Sequence, residues 1–166
     1  MDLDEAFRQY TNDLYRYLFS LSKDHHLAED LVQEAFYRAY VQMADYDIKN
    51  IKTWLFKVAY HAFIDHYRKQ KRIIVSEDVH ESVTFTMKTP EDELLEKEAF
   101  KLLLLDIHSL KEQERHALVL CDLHQFSYQE AAIILEMNLN TFKSNLLRGR
   151  KKVMKRIEAR RNEDER

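Results

Sequence analysis

The chain of 166 residues is very poor in glycine, proline and cysteine, with one of each. Glycine and proline usually make up about 7% and 5% of a protein, and strand-rich folds depend on them for turns. Their scarcity therefore predicts an almost wholly helical, all-α fold. The single cysteine, Cys121, lies in an apolar run, so we expect a buried and inert thiol. One cysteine excludes an internal disulfide and a cysteine-rich zinc site.

Long apolar runs are missing as well, and none approaches the roughly 20 residues of a membrane span. No signal-peptide pattern precedes Asp2 and Asp4, so the expected location is the cytoplasm. The sequence also lacks a glycine-rich phosphate loop, a nucleophile elbow and metal-ligand spacing. We therefore expect no enzymatic activity, no catalytic residues, no metal and no cofactor.

The net charge of −3 conceals a strong partition of charge along the chain. Residues 51–72 carry six bases and one acid, and residues 141–161 carry nine bases and one acid. Residues 1–50, 73–100 and 101–140 are each net negative. A polyanionic partner would thus meet two separate basic elements. The acidic blocks suit contact with another protein or the exclusion of nucleic acid.

Residues 126–152 have the pattern of a helix-turn-helix. Ser127 and Glu130 predict a capping box for the first helix, and Asn138 and Asn140 suit the turn and the next cap. The second helix is predicted to begin at Thr141. Spacings of three and four place one set of residues on its packed side: Leu139, Phe142, Leu146, Gly149, Val153 and Ile157. The remaining face contains Thr141, Ser144, Asn145, Arg148, Lys151 and Lys152.

A front of small polar and basic side chains on a helix with a packed back suits the major groove of DNA. A merely solvated basic surface and a helix lying on a membrane are the alternatives. The agreement of cap, turn and face favours DNA over the solvated surface. The exposed face lacks the large apolar residues that membrane binding needs.

Helical periodicity divides the chain into two small domains. Residues 1–72 are predicted to form a domain of three helices. The first spans residues 3–22, the second begins after a cap at Asp24, and the third spans residues 53–70. Residues 73–94 include the only proline and predict an extended linker. Residues 95–160 form the second domain, with helices from Glu91 and over 112–123 before the helix-turn-helix. Residues 161–166 are expected to be a flexible tail.

Three further surfaces in the first domain have a candidate function. The outer face of the second helix is either a solvated surface, which spacing alone favours, or a docking surface for a basic partner; it contains Glu29, Asp30, Gln33, Glu34 and Arg38. For the segment 45–52, the residues alone support two interpretations equally, a simple connector and a recognition loop. It offers a ring for stacking, polar groups for base edges and positive charge: Tyr46, Asp47, Asn50, Lys49 and Lys52.

The third surface is the helix that begins at Thr53, where aromatic residues alternate with cations. Single-stranded nucleic acid needs this combination, because bases stack on rings and cations hold the backbone. The candidates are Trp54, Lys57, Tyr60, His61 and Arg68. Phe63 is expected in the core, and Asp65 is expected to be an ion-pair partner rather than a catalytic group.

Three segments, taken in order, resemble the extracytoplasmic function group of bacterial sigma-70 family sigma factors. AEDLVQEAFYRAY (28–40) is similar to regions 2.1–2.2 of that family, and IKTWLFKVAYHAFIDHYRK (51–69) to regions 2.3–2.4. Residues 110–153 are similar to region 4. The resemblance implies a protein that binds core RNA polymerase, recognises promoter DNA and opens it. It also implies a two-domain helical fold with a linker that threads the polymerase.

The resemblance assigns functions to the residues above. It implies contact with the clamp helices of the beta-prime subunit by Asp30, Gln33 and Glu34, which reverses the preference from spacing alone. It implies −10 element contacts by the loop residues Tyr46, Asp47, Lys49 and Asn50 and by Trp54, Lys57, Tyr60, His61 and Arg68. It implies −35 element contacts by Thr141, Lys143, Ser144, Asn145, Arg148, Arg150 and Lys151. Contact with the beta flap and an inhibitory anti-sigma factor, often membrane-anchored, are implied too.

The sequence departs from that family's pattern at three places. Tyr60-His61 stands where Arg-Asn or His-Asn is common, which leaves the −10 base preference open. Lys111 replaces the usual proline, and Gly149 replaces the usual alanine of the RAR motif. Two other functions are weighed against the sigma factor. A stand-alone helix-turn-helix regulator, dimeric on duplex half-sites, leaves the aromatic basic helix unexplained. A helical adaptor without nucleic acid leaves the basic block 141–161 unexplained.

Overall fold

The computed structural model describes residues 2–43, 48–73 and 94–166, and within those ranges it contains helices and no strand. The chain divides into two compact units, Met1–Thr86 (unit one) and Met87–Arg166 (unit two). The predicted all-α, two-domain fold is thereby confirmed. The predicted linker, residues 73–94, lies almost wholly outside the described residues, and the proposed domain boundaries stay predictions.

Unit one consists of α1 (Leu3–Ser22), α2 (His25–Met43) and α3 (Ile51–Ile73), each packed on the other two. Their ends follow from local capping. The Asp2 carboxylate accepts a hydrogen bond from the Glu5 amide at 2.8 Å, and that of Asp24 from the Leu27 amide at 3.1 Å. Carboxylates at these positions satisfy amides that have no partner within the helix. The predicted bounds of α1 and the cap before α2 are confirmed.

The core of unit one is an apolar cluster between the three helices. Tyr17 of α1 and Phe56 of α3 are fully buried, with ring centroids 4.9 Å apart. Phe63 is also buried, as predicted. One side of α2 is buried in the core, with the residues Ala28, Leu31, Val32, Ala35, Phe36 and Ala39. This packing buries one side of α3 and leaves the other side accessible to solvent.

Unit two consists of α4 (Leu94–His108), α5 (Glu112–Leu118), a π-helical turn (Val119–Leu123), α6 (Tyr128–Leu135) and α7 (Leu139–Asp164). The helix predicted over 112–123 therefore ends in a π turn, in which the His124 amide donates to the Val119 carbonyl at 3.2 Å. The core is a group of fully or almost fully buried residues: Leu104, Ile107, Leu120, Ile134, Phe142 and Leu146.

The last helix of unit two is longer than the sequence suggested, because α7 runs to Asp164 and so includes most of the tail predicted at 161–166. Arg160 donates to the buried Asp106 carboxylate of α4 at 2.6 Å, which holds this end of α7 against its neighbour. No helix in the part of the chain that the structure describes is long and apolar enough to cross a membrane.

Candidate nucleic-acid interfaces

The start of α6 has the reciprocal cap that the sequence predicts. The Glu130 amide donates to the Ser127 hydroxyl at 3.1 Å, and the Ser127 amide donates to the Glu130 carboxylate at 3.3 Å. Two amides at the helix end are thereby satisfied. The helix ends at Leu135, and the cap residue after it, Glu136, has a φ of 54°, in the left-handed region, which turns the chain sharply.

The cap of α7 is Asn138, which accepts a hydrogen bond from the Asn140 amide at 2.8 Å. The predicted helix-turn-helix is therefore present, with its second helix beginning at Leu139 rather than Thr141. An Asn cap leaves Asn140 inside the first turn of α7. The capped N-terminal turns of α7 are the part that would enter a groove.

The front of α7, as predicted for the −35 element, is exposed at Thr141, Lys143, Ser144, Arg148 and Lys151. The back is buried at Phe142, Leu146, Gly149 and Val153. Ile157 is 37% exposed, so its predicted place on the packed side is wrong. It lies one turn beyond Val153, the last buried residue of the helix.

Asn145 is buried, whereas the sequence placed it among the outward-facing residues. It follows Phe142 by three residues, and this spacing turns it toward the packed side. Its amide donates to the Thr141 carbonyl at 3.0 Å, and its carbonyl oxygen accepts from Arg148 at 3.1 Å. Asn145 therefore supports two residues of the predicted −35 set from behind.

Arg150 is held within unit two by two side chains. It donates to both oxygens of Asp122, at 2.7 and 3.0 Å, and to the Tyr128 hydroxyl at 3.3 Å. These hydrogen bonds raise the pKa of Arg150. A phosphate would thus meet a guanidinium whose direction is already set. The neighbouring Cys121 is buried as predicted, and burial followed by the Asp122 charge raises the pKa of its thiol to about 11.

Glu114 of α5 is almost fully buried against α7, and nothing in the sequence pattern marked it. Its carboxylate accepts from Lys152 at 2.7 and 3.0 Å and lies 3.6 Å from the Arg148 Nε. The Lys111 amide also donates to it, at 3.3 Å. Burial works against ionisation, but the Lys152 and Lys111 hydrogen bonds outweigh it and lower the pKa of Glu114.

The predicted strand-binding surface of unit one lies along α3. Trp54, Lys57, Tyr60 and His61 are half-buried, which leaves part of each side chain accessible, and Arg68 is exposed. The rings of Tyr60 and His61 are 5.5 Å apart and tilted by 59°. These residues present both chemical types that single-strand binding requires.

The loop before α3 is described only from residue 48, so the predicted contacts Tyr46 and Asp47 lie outside the described residues. Lys49 and Asn50 are exposed. The Asn50 side-chain oxygen accepts from the Thr53 amide at 3.2 Å and caps α3. α3 therefore begins at Ile51, two residues before the predicted start.

The predicted docking surface on α2, formed by Asp30, Gln33 and Glu34, is exposed. Arg38 is half-buried between α2 and α3, where it donates to Glu34 at 3.0 Å and to Asp65 of α3 at 2.8 Å. Partial burial acts to lower the pKa of Arg38, but the hydrogen bonds to Glu34 and Asp65 outweigh it, so the pKa is raised. The predicted ion-pair role of Asp65 is confirmed, with a partner on α2 rather than on its own helix.

Sequence reasoning missed the acidic partners that hold the cations of α7. Those partners are Asp106, Glu114 and Asp122, which pair with Arg160, Lys152 and Arg150. Each pair joins residues at least 28 positions apart in the chain, so helical periodicity carries no signal for it. The one available signal was the excess of bases over acids in residues 141–161, since most cations there have no carboxylate within their own helix to pair with.

Comparison with known proteins identifies two matching family models. Sigma-70 region 2 matches residues 6–73, and sigma-70 region 4 matches residues 100–153. Together they span roughly three quarters of the chain. They coincide with the two helical units described above.

Two curated relatives come from Bacillus subtilis. The ECF RNA polymerase sigma factor SigM is 51% identical over 80 residues, which are 48% of this chain and 49% of SigM. The RNA polymerase sigma factor YlaC is 32% identical over 113 residues, which are 60% of this chain and 64% of YlaC. The matched part of the chain thus spans about half to under two thirds of these relatives.

Two solved structures share the fold. The sigma factor RpoE, crystallised with the anti-sigma factor NepR from Bartonella quintana, has a TM-score of 0.74 at 23% identity, covering 93% of this chain and 96% of RpoE. CnrH, in complex with the cytosolic domain of CnrY, has a TM-score of 0.72 at 18% identity, covering 95% of this chain and 88% of the other. At such identities the likeness establishes the fold alone.

Proposed function

Because the chain belongs to the extracytoplasmic function group of the sigma-70 family, we propose that it directs core RNA polymerase to specific promoters and opens them. The observation that carries the proposal is the presence of two basic helices of different chemistry in separate units. α7 displays small polar and basic side chains on a capped helix. α3 displays ring faces among cations.

Unit two is proposed to bind the duplex −35 element. The front of α7 can enter the major groove, where its side chains read base edges, while Arg150 and Lys151 contact phosphates. Such contacts fix the position of the protein on the duplex. They leave the DNA paired.

Unit one is proposed to capture the −10 element after its strands separate. Flipping a base out of the duplex costs a few kcal/mol, and stacking on an aromatic ring returns about 1–3 kcal/mol per base. Trp54 and Tyr60 offer those rings, and Lys57 and Arg68 offer charge to the backbone. Melting is then a population shift toward the open strand, which alone binds this surface.

The partner that performs synthesis is proposed to be core RNA polymerase. The exposed face formed by Asp30, Gln33 and Glu34 would contact the clamp helices of beta-prime, and unit two would contact the beta flap. The chain itself then supplies binding energy and no bond-making chemistry. Alone it should bind promoters weakly, because only the polymerase fixes the spacing of two short DNA contacts. We also propose an inhibitory anti-sigma partner, as in the RpoE–NepR complex.

Run-off transcription with core enzyme tests this function. Adding the chain to its cognate core polymerase should give RNA with a defined start on a subset of promoters, beginning with the region upstream of its own gene. Core enzyme alone and the Asp30→Arg variant are the controls, and the variant should also co-elute less with core polymerase. A dimer that binds duplex half-sites and ignores polymerase would favour the stand-alone regulator instead.

A further inference from the structure

The buried carboxylate of Glu114 joins α5 to the back of the proposed DNA-reading residues. A chain of contacts runs along α7 from the Thr141 carbonyl through Asn145 to Arg148, and then to Glu114 and Lys152. We call these five residues the reading network. Thr141, Asn145 and Arg148 belong to the set predicted to read the −35 element, whereas Glu114 belongs to another helix and has no assigned function.

We propose that Glu114 is a positioning residue for −35 recognition, which it serves by fixing the direction of the Arg148 guanidinium. The inference deepens the proposed function and rests on it. Two groups face Arg148 from behind: the Glu114 carboxylate lies 3.6 Å from Nε, and the Asn145 oxygen accepts from Nη2 at 3.1 Å. One hydrogen bond and one ion pair, on two different nitrogens, restrict the orientation of the planar guanidinium.

The Arg148 side chain is nevertheless 58% exposed, so it can reach a base while its inner edge stays held. An arginine on a guanine edge forms two parallel hydrogen bonds, which demand a defined plane. An unsupported side chain would lose rotational freedom on binding, and that ordering is unfavourable. Support from Glu114 removes part of this cost before DNA arrives.

Two features of the chain make this support possible. Lys152 donates twice to Glu114, so the carboxylate stays ionised and fixed despite its burial. Gly149 allows α5 to approach closely, because a Cβ there would lie 3.3 Å from the Glu114 carbonyl oxygen and 3.5 Å from the Glu114 Cβ. The glycine that replaces the usual alanine therefore lies where Glu114 meets α7.

The merely structural reading is that Glu114 ties α5 to α7 through Lys152 and has no influence on base reading. The two readings differ in what a charge-removing, shape-preserving change does. Glu114→Gln keeps the volume and loses the attraction for Arg148. Glu112→Gln is the matched control, since Glu112 is exposed on the same helix and lies 3.9 Å from the imidazole of His116, not beside an arginine or lysine of α7.

The experiment uses the full chain assembled with core polymerase and a duplex pool randomised over the −35 region. Selection with wild type defines the preferred duplex, and affinity is then measured for it and for a scrambled duplex. We expect Glu114→Gln to lower the ratio of the two affinities by roughly three- to tenfold, as for coupled contacts. Glu112→Gln should leave the ratio unchanged.

A double-mutant cycle separates positioning from packing. If Glu114 acts through Arg148, adding Glu114→Gln to Arg148→Ala should cause no further loss in the affinity ratio. A further loss of the same size as in wild type, or equal ratios for the two Gln variants, overturns the inference. Wild type showing no preferred duplex would overturn the proposed function along with it.

A measurement on unmodified protein keeps the test decisive if Glu114→Gln fails to fold. The Arg148 Nε–H of the free chain should give a distinct NMR signal that exchanges slowly with water. Exposed guanidiniums without a carboxylate behind them, such as that of Arg156, should exchange fast. An Arg148 signal as fast as that of Arg156 contradicts the inference.

Discussion

The two basic helices differ in the groups that they display and in the charge that they supply to the ion pairs with neighbouring helices. On α7, three cations are tied to carboxylates of neighbouring segments: Lys152 to Glu114, Arg150 to Asp122 and Arg160 to Asp106. On α3, the displayed groups include half-buried rings, and the one carboxylate, Asp65, pairs with Arg38 of α2.

This difference matches what each form of DNA presents. Paired DNA is a rigid surface whose base edges have fixed donors and acceptors, so the reading side chains gain from being directed in advance. Separated strands are flexible, and every base has a π-face, so accessible rings suffice and the strand adapts to them. The comparison holds only if the two units act as separate bodies and on separate DNA forms.

The sharpest test of separate units removes a core ring from each. Phe142→Ala in unit two and Phe56→Ala in unit one should each lower the free energy of unfolding by about 3–5 kcal/mol, since both rings are fully buried and leave a cavity. Amide hydrogen exchange should show lost protection only in the unit that carries the change. Loss in both units from either variant would show that they fold as one.

Acid should also distinguish the units, because His116 of α5 is buried and burial, then the Arg115 charge, lower its pKa to about 3. The folded pKa lies below the ordinary 6.5, so the unfolded chain takes up a proton first as pH falls. Unit two should lose about 1.4 kcal/mol per pH unit below 6.5 until pH nears the folded pKa.

The measurement is urea unfolding of unit two, followed by amide signals, at a series of pH values. Between pH 6.5 and 4.5, His116→Gln should remove that slope, since no imidazole remains to take up the proton and Glu114, whose ordinary pKa is 4.5, stays mostly ionised. Unit one serves as the internal reference. An unchanged slope in the variant would assign the acid sensitivity to other groups.

Most of the fold follows from sequence patterns, and the reasons are local. Capping residues such as Asp24 and Ser127 accept hydrogen bonds from amides three positions away, so the caps can be predicted from the local sequence. Apolar spacing likewise predicted the buried back of α7 at Phe142 and Leu146. Helix ends were less accurate where tertiary contacts decide them, as at Arg160, whose pair with Asp106 accompanies the extension of α7.

The candidate sites were predictable in position and not in detail. Helical periodicity predicts which side of a helix a residue faces only to within a fraction of a turn. At Asn145 that uncertainty was large enough to predict an exposed side chain where the structure has a buried one. Pairs such as Glu114 with Lys152 join residues 38 positions apart. Contacts between residues so far apart in the chain depend on how the helices pack against each other. The spacing of residues within one helix carries no information about that packing.

The division between duplex and single strand can be broken by one change on each helix. Arg148→Ala should weaken a promoter through its −35 element by about 1–3 kcal/mol, and leave promoters without that element unaffected. Trp54→Ala should weaken binding to a single-stranded −10 oligonucleotide by about 1–3 kcal/mol, and spare the −35 duplex. Holoenzyme titrations against both probes measure the two effects. If both variants lost the same affinity for both probes, the two helices would not be specialised for different forms of DNA.

The smallest expected effect concerns the ion pairs themselves. Asp65→Asn removes the α2–α3 pair of unit one, whose side chains are 28% and 49% exposed, and should cost about 0.5 kcal/mol or less because water screens it. Asp106→Asn removes the α4–α7 pair of unit two, whose carboxylate is only 3% exposed, and should cost more. Raising the salt concentration should reduce the Asp65 effect and change the Asp106 effect little, since buried charges are screened less. Urea unfolding of both variants at low and high salt decides the matter. If the exposed pair proves to be the stronger one, the ordered side chains of unit two have no special stability, and a pre-set surface no longer explains how α7 would read the duplex.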